Sequence, residues 1–179
     1  MKDNKTKMIK TLRAACEKGD LISVKYHLKN KAKINSKNAA GFFPLGAAAY
    51  GGHPDIVKLL LRSGAYINTR TRCRWTALYI ASHFGYTEVA KILINKGALL
   101  NVRTRSDYNS PDRFSPIHIA CARGNLPLVK LLVKAGAKIN IKNGNKETPF
   151  DTAVKGRNYK IACYLALNGG KPASQKDFF

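Results

Sequence analysis

Apolar and polar positions along this chain follow a pattern that returns at a fixed interval. Within 43–68, FPLGAAAYGGHPDIVKLLLRSGAYIN, an Ala-rich stretch leads to Gly51 and Gly52. Ile56, Val57, Leu60 and Leu61 then follow at helical spacing, and Gly64 and Ala65 close the segment. Such spacing lays an apolar stripe along one helix face, so the segment predicts two short helices joined by a glycine turn. The stripe recurs as Val89, Ala90, Leu93 and Ile94, and again as Val129, Leu132 and Val133. Ala15, Ala48, Ala81, Ala120 and Ala153 fall at matching points 33, 33, 39 and 33 residues apart. Asn35, Asn68, Asn101 and Asn140 close successive copies at 33, 33 and 39. A period of this size marks stacked units, none of which can bury both faces alone.

The motifs inside the period resemble a known family. Ser115-Pro116-Ile117-His118-Ile119-Ala120 and Thr76-Ala77-Leu78-Tyr79-Ile80-Ala81 are similar to the Thr-Pro-Leu-His-x-Ala signature of ankyrin repeats, whose length is also 33. The resemblance covers roughly residues 10–170. It implies an all-α repeat solenoid of five units, each a helix-turn-helix with a hairpin-like finger leading to the next. The expected organisation is a single ankyrin repeat domain over 1–179, with units near 9–35, 41–68, 75–101, 114–140 and 147–170.

The first and last units differ from the interior in the way that caps require. Unit one has Asn30-Lys31 where units two and four have Ser63-Gly64 and Ala135-Gly136. Helices of this kind often end on a left-handed residue, for which glycine is best suited. Unit five places Gly156 one residue earlier than Gly124 in unit four, and Arg157, Asn158, Tyr159 and Lys160 make its second helix more polar. A terminal repeat has one neighbour only and needs such a surface. Six extra residues, 106–111, hold turn formers and read as an enlarged loop, which in repeat proteins tends to sit on the binding face. Residues 171–179 read as a short frayed tail.

Composition changes the picture in three places. The chain of 179 residues is 45% hydrophobic, enough for a core, and has no apolar run long enough to span a membrane. The basic first residues lack the apolar centre of a secretory signal. The four cysteines, Cys16, Cys73, Cys121 and Cys163, form no Cys-x-x-Cys pair, so no metal or other cofactor is expected and a reducing compartment, cytoplasmic or nuclear, fits best.

The third change is charge, +22 in net. By resemblance, fingers and inner helices line the concave surface that binds partners. The fingers here are 36–42, 69–75, 102–114 and 141–147. Their basic residues are Lys37, Arg70, Arg72, Arg74, Arg103, Arg105, Arg113, Lys142 and Lys146, against Asp107, Asp112 and Glu147. That ratio only matches the chain as a whole, so charge alone does not single the fingers out. Arginine does: six of the ten arginines lie in these segments, and Arg70-Thr71-Arg72 recurs as Arg103-Thr104-Arg105 one repeat on. Many family members carry Asp at the middle of such a triplet, whereas Asn38, Thr71, Thr104 and Asn143 stand there in this chain. The acid that commonly follows Gly-Ala is replaced by Lys33, Tyr66, Leu99 and Lys138. Arginine's planar fork grips carboxylate or phosphate in two-pronged fashion. With Tyr66, Trp75 and Tyr108 beside them, the forks would suit an acidic peptide or a phosphate-bearing ligand. The competing reading is a basic surface that only keeps the chain soluble.

No Gly-rich phosphate loop, His-Glu-x-x-His or Gly-x-Ser-x-Gly motif is present, and no catalytic residues are assigned. His118 fills the histidine slot of the signature, where it braces the turn; Arg13, Gly46, Tyr79 and Asp151 hold that slot elsewhere, so the other units are expected to lack the brace. The leading expectation is a monomeric, non-catalytic protein-protein interaction scaffold for an acidic protein partner. The alternative is a module for nucleic acid or another polyanion. Abundant Lys, Asn and Ile point to an AT-rich genome, such as that of an intracellular microbe or large virus, for which action on host proteins, as by a secreted effector of the microbe, is one setting.

Overall fold

The computed structural model describes residues 10–105 and 113–174. Among them are ten helices and no strand. They come in five pairs: α1 (Leu12–Lys18) with α2 (Leu21–Lys29), α3 (Pro44–Gly51) with α4 (Pro54–Arg62), and α5 (Ala77–Phe84) with α6 (Thr87–Asn95). α7 (Pro116–Ala122) pairs with α8 (Leu126–Lys134), and α9 (Pro149–Lys155) with α10 (Tyr159–Leu167). The first helix of each pair packs on the first helix of the next, and the second helices form a parallel row. The result is a two-layer solenoid.

The period-setting alanines explain the spacing of the inner row. Ala15, Ala48, Ala81, Ala120 and Ala153 are all fully buried, where a side chain of one carbon lets successive helices approach closely. Leu60, Leu93, Leu132 and Leu165 fill the space between the layers, also fully buried. Burial of a leucine of this kind is worth about 1.5–3 kcal/mol. Because units two to five repeat the same interlayer leucine, stability grows by stacking.

The periodic asparagines tie each unit to the next. Asn35 Oδ1 accepts the Tyr66 amide at 2.8 Å, Asn68 Oδ1 accepts Leu99 N–H at 2.9 Å, Asn101 Oδ1 accepts Lys138 N–H at 2.9 Å, and Asn140 Oδ1 accepts Lys171 N–H at 2.8 Å. A second set crosses at the turns: His53 Nε2–H donates to Glu17 O, Asn125 Nδ2–H to Gly85 O and Asn158 Nδ2–H to Cys121 O.

The end units depart from glycine without departing from its conformation. Lys31 adopts φ 54°, left-handed like Gly64 at 90°. Arg157 adopts φ 56° at the turn where Gly124 has 71°, while the displaced Gly156 has an ordinary φ of −78°.

Two expectations need correction. Asp151 does brace the turn of unit five: its carboxylate accepts Thr148 N–H at 2.8 Å, so a short acid supplies the bond that His118 supplies in unit four. The same carboxylate accepts Ala173 N–H at 2.9 Å, and Lys171 is held by Asn140, so 171–173 belong to the folded body and are not a frayed end. The fingers are hairpin-like, as expected, with no strand among the described residues: Asn38 N–H to Phe42 O at 2.9 Å, Thr71 N–H to Trp75 O at 3.0 Å and Asn143 N–H to Glu147 O at 2.8 Å close the first, second and fourth. The enlarged loop at 106–111 lies outside the described residues, but Thr104 N–H donates to Phe114 O at 2.9 Å and closes its base.

Candidate partner-binding face

Three of the four fingers are built on the residue where the family commonly has Asp. Asn38 Oδ1 accepts the amides of Ala40 and Phe42 at 3.1 and 2.9 Å, and Asn143 Oδ1 accepts those of Asn145 and Glu147, both at 2.9 Å. Thr71 Oγ1 accepts Trp75 N–H at 3.1 Å. The neutral side chains at these three positions therefore make turn-holding bonds and bring no negative charge. Glu147, the acid of the last finger, is engaged by Asn143 Nδ2–H and the Lys155 ammonium, both at 2.9 Å. Burial pushes its carboxyl up, but these two donors outweigh burial and hold it below the usual range. Among the described residues the ion pairs are Arg13–Glu17, Lys58–Asp55 and Lys155–Glu147, none of which involves a finger arginine.

One finger position is left-handed throughout. Gly41 occupies it in the first finger at φ 80°, and Arg74, Arg113 and Lys146 occupy it in the others at 62°, 46° and 64°. A side chain there costs roughly 1–2 kcal/mol relative to glycine's freedom. The backbone thus holds long cations where glycine would be easier.

Arg70, Arg74, Arg103 and Arg113 line one cleft of about 390 Å³ together with Leu99, Leu100, Asn101 and Val102. Arg74 and Arg113 also line a second hollow of about 360 Å³ with Arg105. Arg103 also donates Nη1–H to Lys142 O at 2.8 Å and so reaches into the next finger.

The other expected site residues are placed differently. Lys37 spends its ammonium on Arg70 O at 2.9 Å and acts as a strut between fingers. Arg72 and Lys142 are exposed outside the cleft lining. Tyr66 is 70% exposed and also absent from the lining. Trp75 turns onto α5, with its ring 5.2 Å from Tyr79 and 5.5 Å from His83. Tyr108 lies outside the described residues.

An aromatic patch beside the fingers escaped the sequence reading. His83 meets Phe84 at 4.9 Å, and Phe84 meets Tyr50 of the preceding unit edge-on at 4.8 Å. Tyr50, Phe84 and Tyr86 are 44%, 41% and 37% exposed. Arg123 of unit four donates to His83 Nε2 at 3.0 Å, which puts the imidazole proton on Nδ1. Burial, and then the Arg123 charge, hold His83 below its ordinary pKa. The available signal was the row Trp75, Tyr79 and His83 at i, i+4 and i+8, one face of a helix.

His118 sits in the core of unit four with no exposed surface. Its Nε2–H donates to Glu147 O at 3.2 Å, and its Nδ1 accepts from Ser115 Oγ–H at 2.8 Å, closing a capping box for α7. Burial lowers its pKa to about 4. A neutral imidazole saturated by structural bonds is a brace, as its slot implies. Among the described residues no group of three or more His, Cys, Asp or Glu could hold a metal ion. Among the described residues no helix is long and apolar enough to cross a membrane.

With this geometry the family models agree. A model described as ankyrin repeats (3 copies) matches residues 12–104, over half of the chain, and one described as ankyrin repeats (many copies) matches 117–166. The chain belongs to the ankyrin repeat family. Members of this family generally mediate protein–protein interaction and are typically non-catalytic scaffolds. A comparison with curated proteins gives no match.

Proposed function

We propose that this protein is a non-catalytic interaction scaffold that binds an acidic protein partner through its arginine fingers, with the neighbouring aromatic patch as the apolar anchor. The observation that carries this reading is that Arg70, Arg74, Arg103 and Arg113 line one cleft that no described carboxylate neutralises. Like charges held together repel, and an anionic partner relieves that repulsion. Arg, Tyr and Trp are also the residues that dominate interface energetics. Electrostatic complementarity of this sort favours fast, selective encounter.

A nucleic-acid ligand is the weaker reading. Sequence-tolerant binding of single strands needs aromatic rings free to stack on bases. Trp75 is half-buried against Tyr79 and His83, and Tyr66 lies away from the cleft lining.

The test is anisotropy of a fluorescent glutamate-rich peptide and of a labelled single-stranded oligonucleotide, each titrated across salt concentrations. Wild type is compared with an Arg70→Gln, Arg74→Gly, Arg113→Gly variant, which leaves the Arg103 tether in place. The expected result is a loss of peptide affinity of about tenfold or more in the variant, on the order of 1.4 kcal/mol. Tighter oligonucleotide binding, with a salt slope of about 0.7 per phosphate contacted, would overturn the reading in favour of the polyanion module.

A further inference from the structure

Building on the acidic-partner reading, we propose that the cleft between the second and third fingers is a receptor for a phosphorylated side chain on that partner. Four arginines line it: Arg70, Arg74, Arg103 and Arg113. A glutamate brings one charge and two oxygens, which satisfy one arginine fork or two single prongs. A phosphoryl group brings nearly two charges and three strong acceptor oxygens, and it can be gripped from several sides. Four arginines match the second inventory.

Two features set this cleft apart from a basic surface in general. Arg74 and Arg113 reach it from left-handed backbone, a conformation that disfavours any side chain but is needed to close the finger turn. Arg103 holds one N–H on Lys142 O of the next finger, which restrains its side chain and reduces the freedom lost on binding. The part of the lining made by Leu99, Leu100 and Val102 is apolar. It fits the carbon stem of a phosphorylated residue better than it fits free inorganic phosphate. Lysine, which outnumbers arginine in the whole chain, does not line the cleft.

The experiment uses the full chain and four probes read by calorimetry and by arginine Nε–H resonances. They are a short acidic peptide carrying phosphoserine, the same peptide with glutamate at that position, inorganic phosphate and an oligothymidylate. The phosphoserine peptide is expected to bind at least about tenfold more tightly than the glutamate peptide, and to move four arginine resonances together. Arg74→Gly relieves backbone strain and so keeps the fold; it and Arg70→Gln should each erase the preference, whereas Arg72→Gln, outside the cleft lining, should keep it. Equal binding of the glutamate and phosphoserine peptides would overturn the phosphate site and leave the acidic-partner reading standing. Failure of both peptides would remove both readings. Inorganic phosphate binding as tightly as the phosphopeptide, or oligothymidylate displacing it at lower concentration, would reassign the cleft to free phosphate or to nucleic acid.

Discussion

Acidification should loosen this protein through His118 well before its carboxylates titrate. In the folded chain the imidazole is buried, with Nε2–H on Glu147 O and Nδ1 on Ser115, and its pKa falls from 6.5 to about 4. A depressed histidine pKa means that the unfolded chain takes up a proton which the folded chain refuses. The stabilisation is therefore complete above pH 6.5 and is lost as pH falls towards 4, with a slope of about 1.4 kcal/mol per pH unit. Integrated over that window the loss is about 3 kcal/mol, a large part of the stability of a small domain. His83, also held low, adds to the loss with the same sign. The assay is the urea midpoint at pH 7.5, 6.5, 5.5 and 4.5 for wild type and His118→Gln, with the imidazole titration followed by NMR. The variant should start less stable and fall less steeply. Parallel slopes in the two proteins, or an imidazole midpoint near 6.5 in folded wild type, would refute the reasoning.

Two further outcomes follow from the packing. Asn68→Ala removes the exposed bond from the Leu99 amide to Asn68 Oδ1, which ties units two and three, and should lower stability by about 0.5–1.5 kcal/mol as read from the urea midpoint. Cys16 and Cys121 are buried, and burial pushes the Cys16 thiol up to about 12 and raises Cys121 as well. A thiol reagent should therefore titrate only Cys73 and Cys163 in the native protein, and all four cysteines in denaturant.

Much of the candidate site was legible as composition and little of it as geometry. The arginine bias of the fingers and the identical triplets stand in the sequence, because a repeat of fixed length places equivalent residues side by side. Which arginines meet was not legible. Arg103 bonds a carbonyl in the next finger, Lys37 becomes a strut, and Trp75 turns onto its own helix. Each of these depends on a side chain choosing among several reachable partners, and local spacing does not rank them. The brace at Asp151 was missed for a related reason: a different residue type reaches the same amide once the backbone is in place.

By itself, the sequence determined the period, the five helix pairs and the alanine and asparagine positions that set their stacking. Those features follow from nearest-neighbour burial, which a regular pattern of small, apolar and polar residues specifies directly. Only the tertiary structure decided that neutral Asn and Thr take over the turn-holding bonds where an acid is common, and that four arginines line one cleft without a described carboxylate among them. The physical reason is range. Stacking is fixed by contacts that recur in every unit, whereas the charge of a surface cleft depends on long side chains from two fingers meeting across the gap between them.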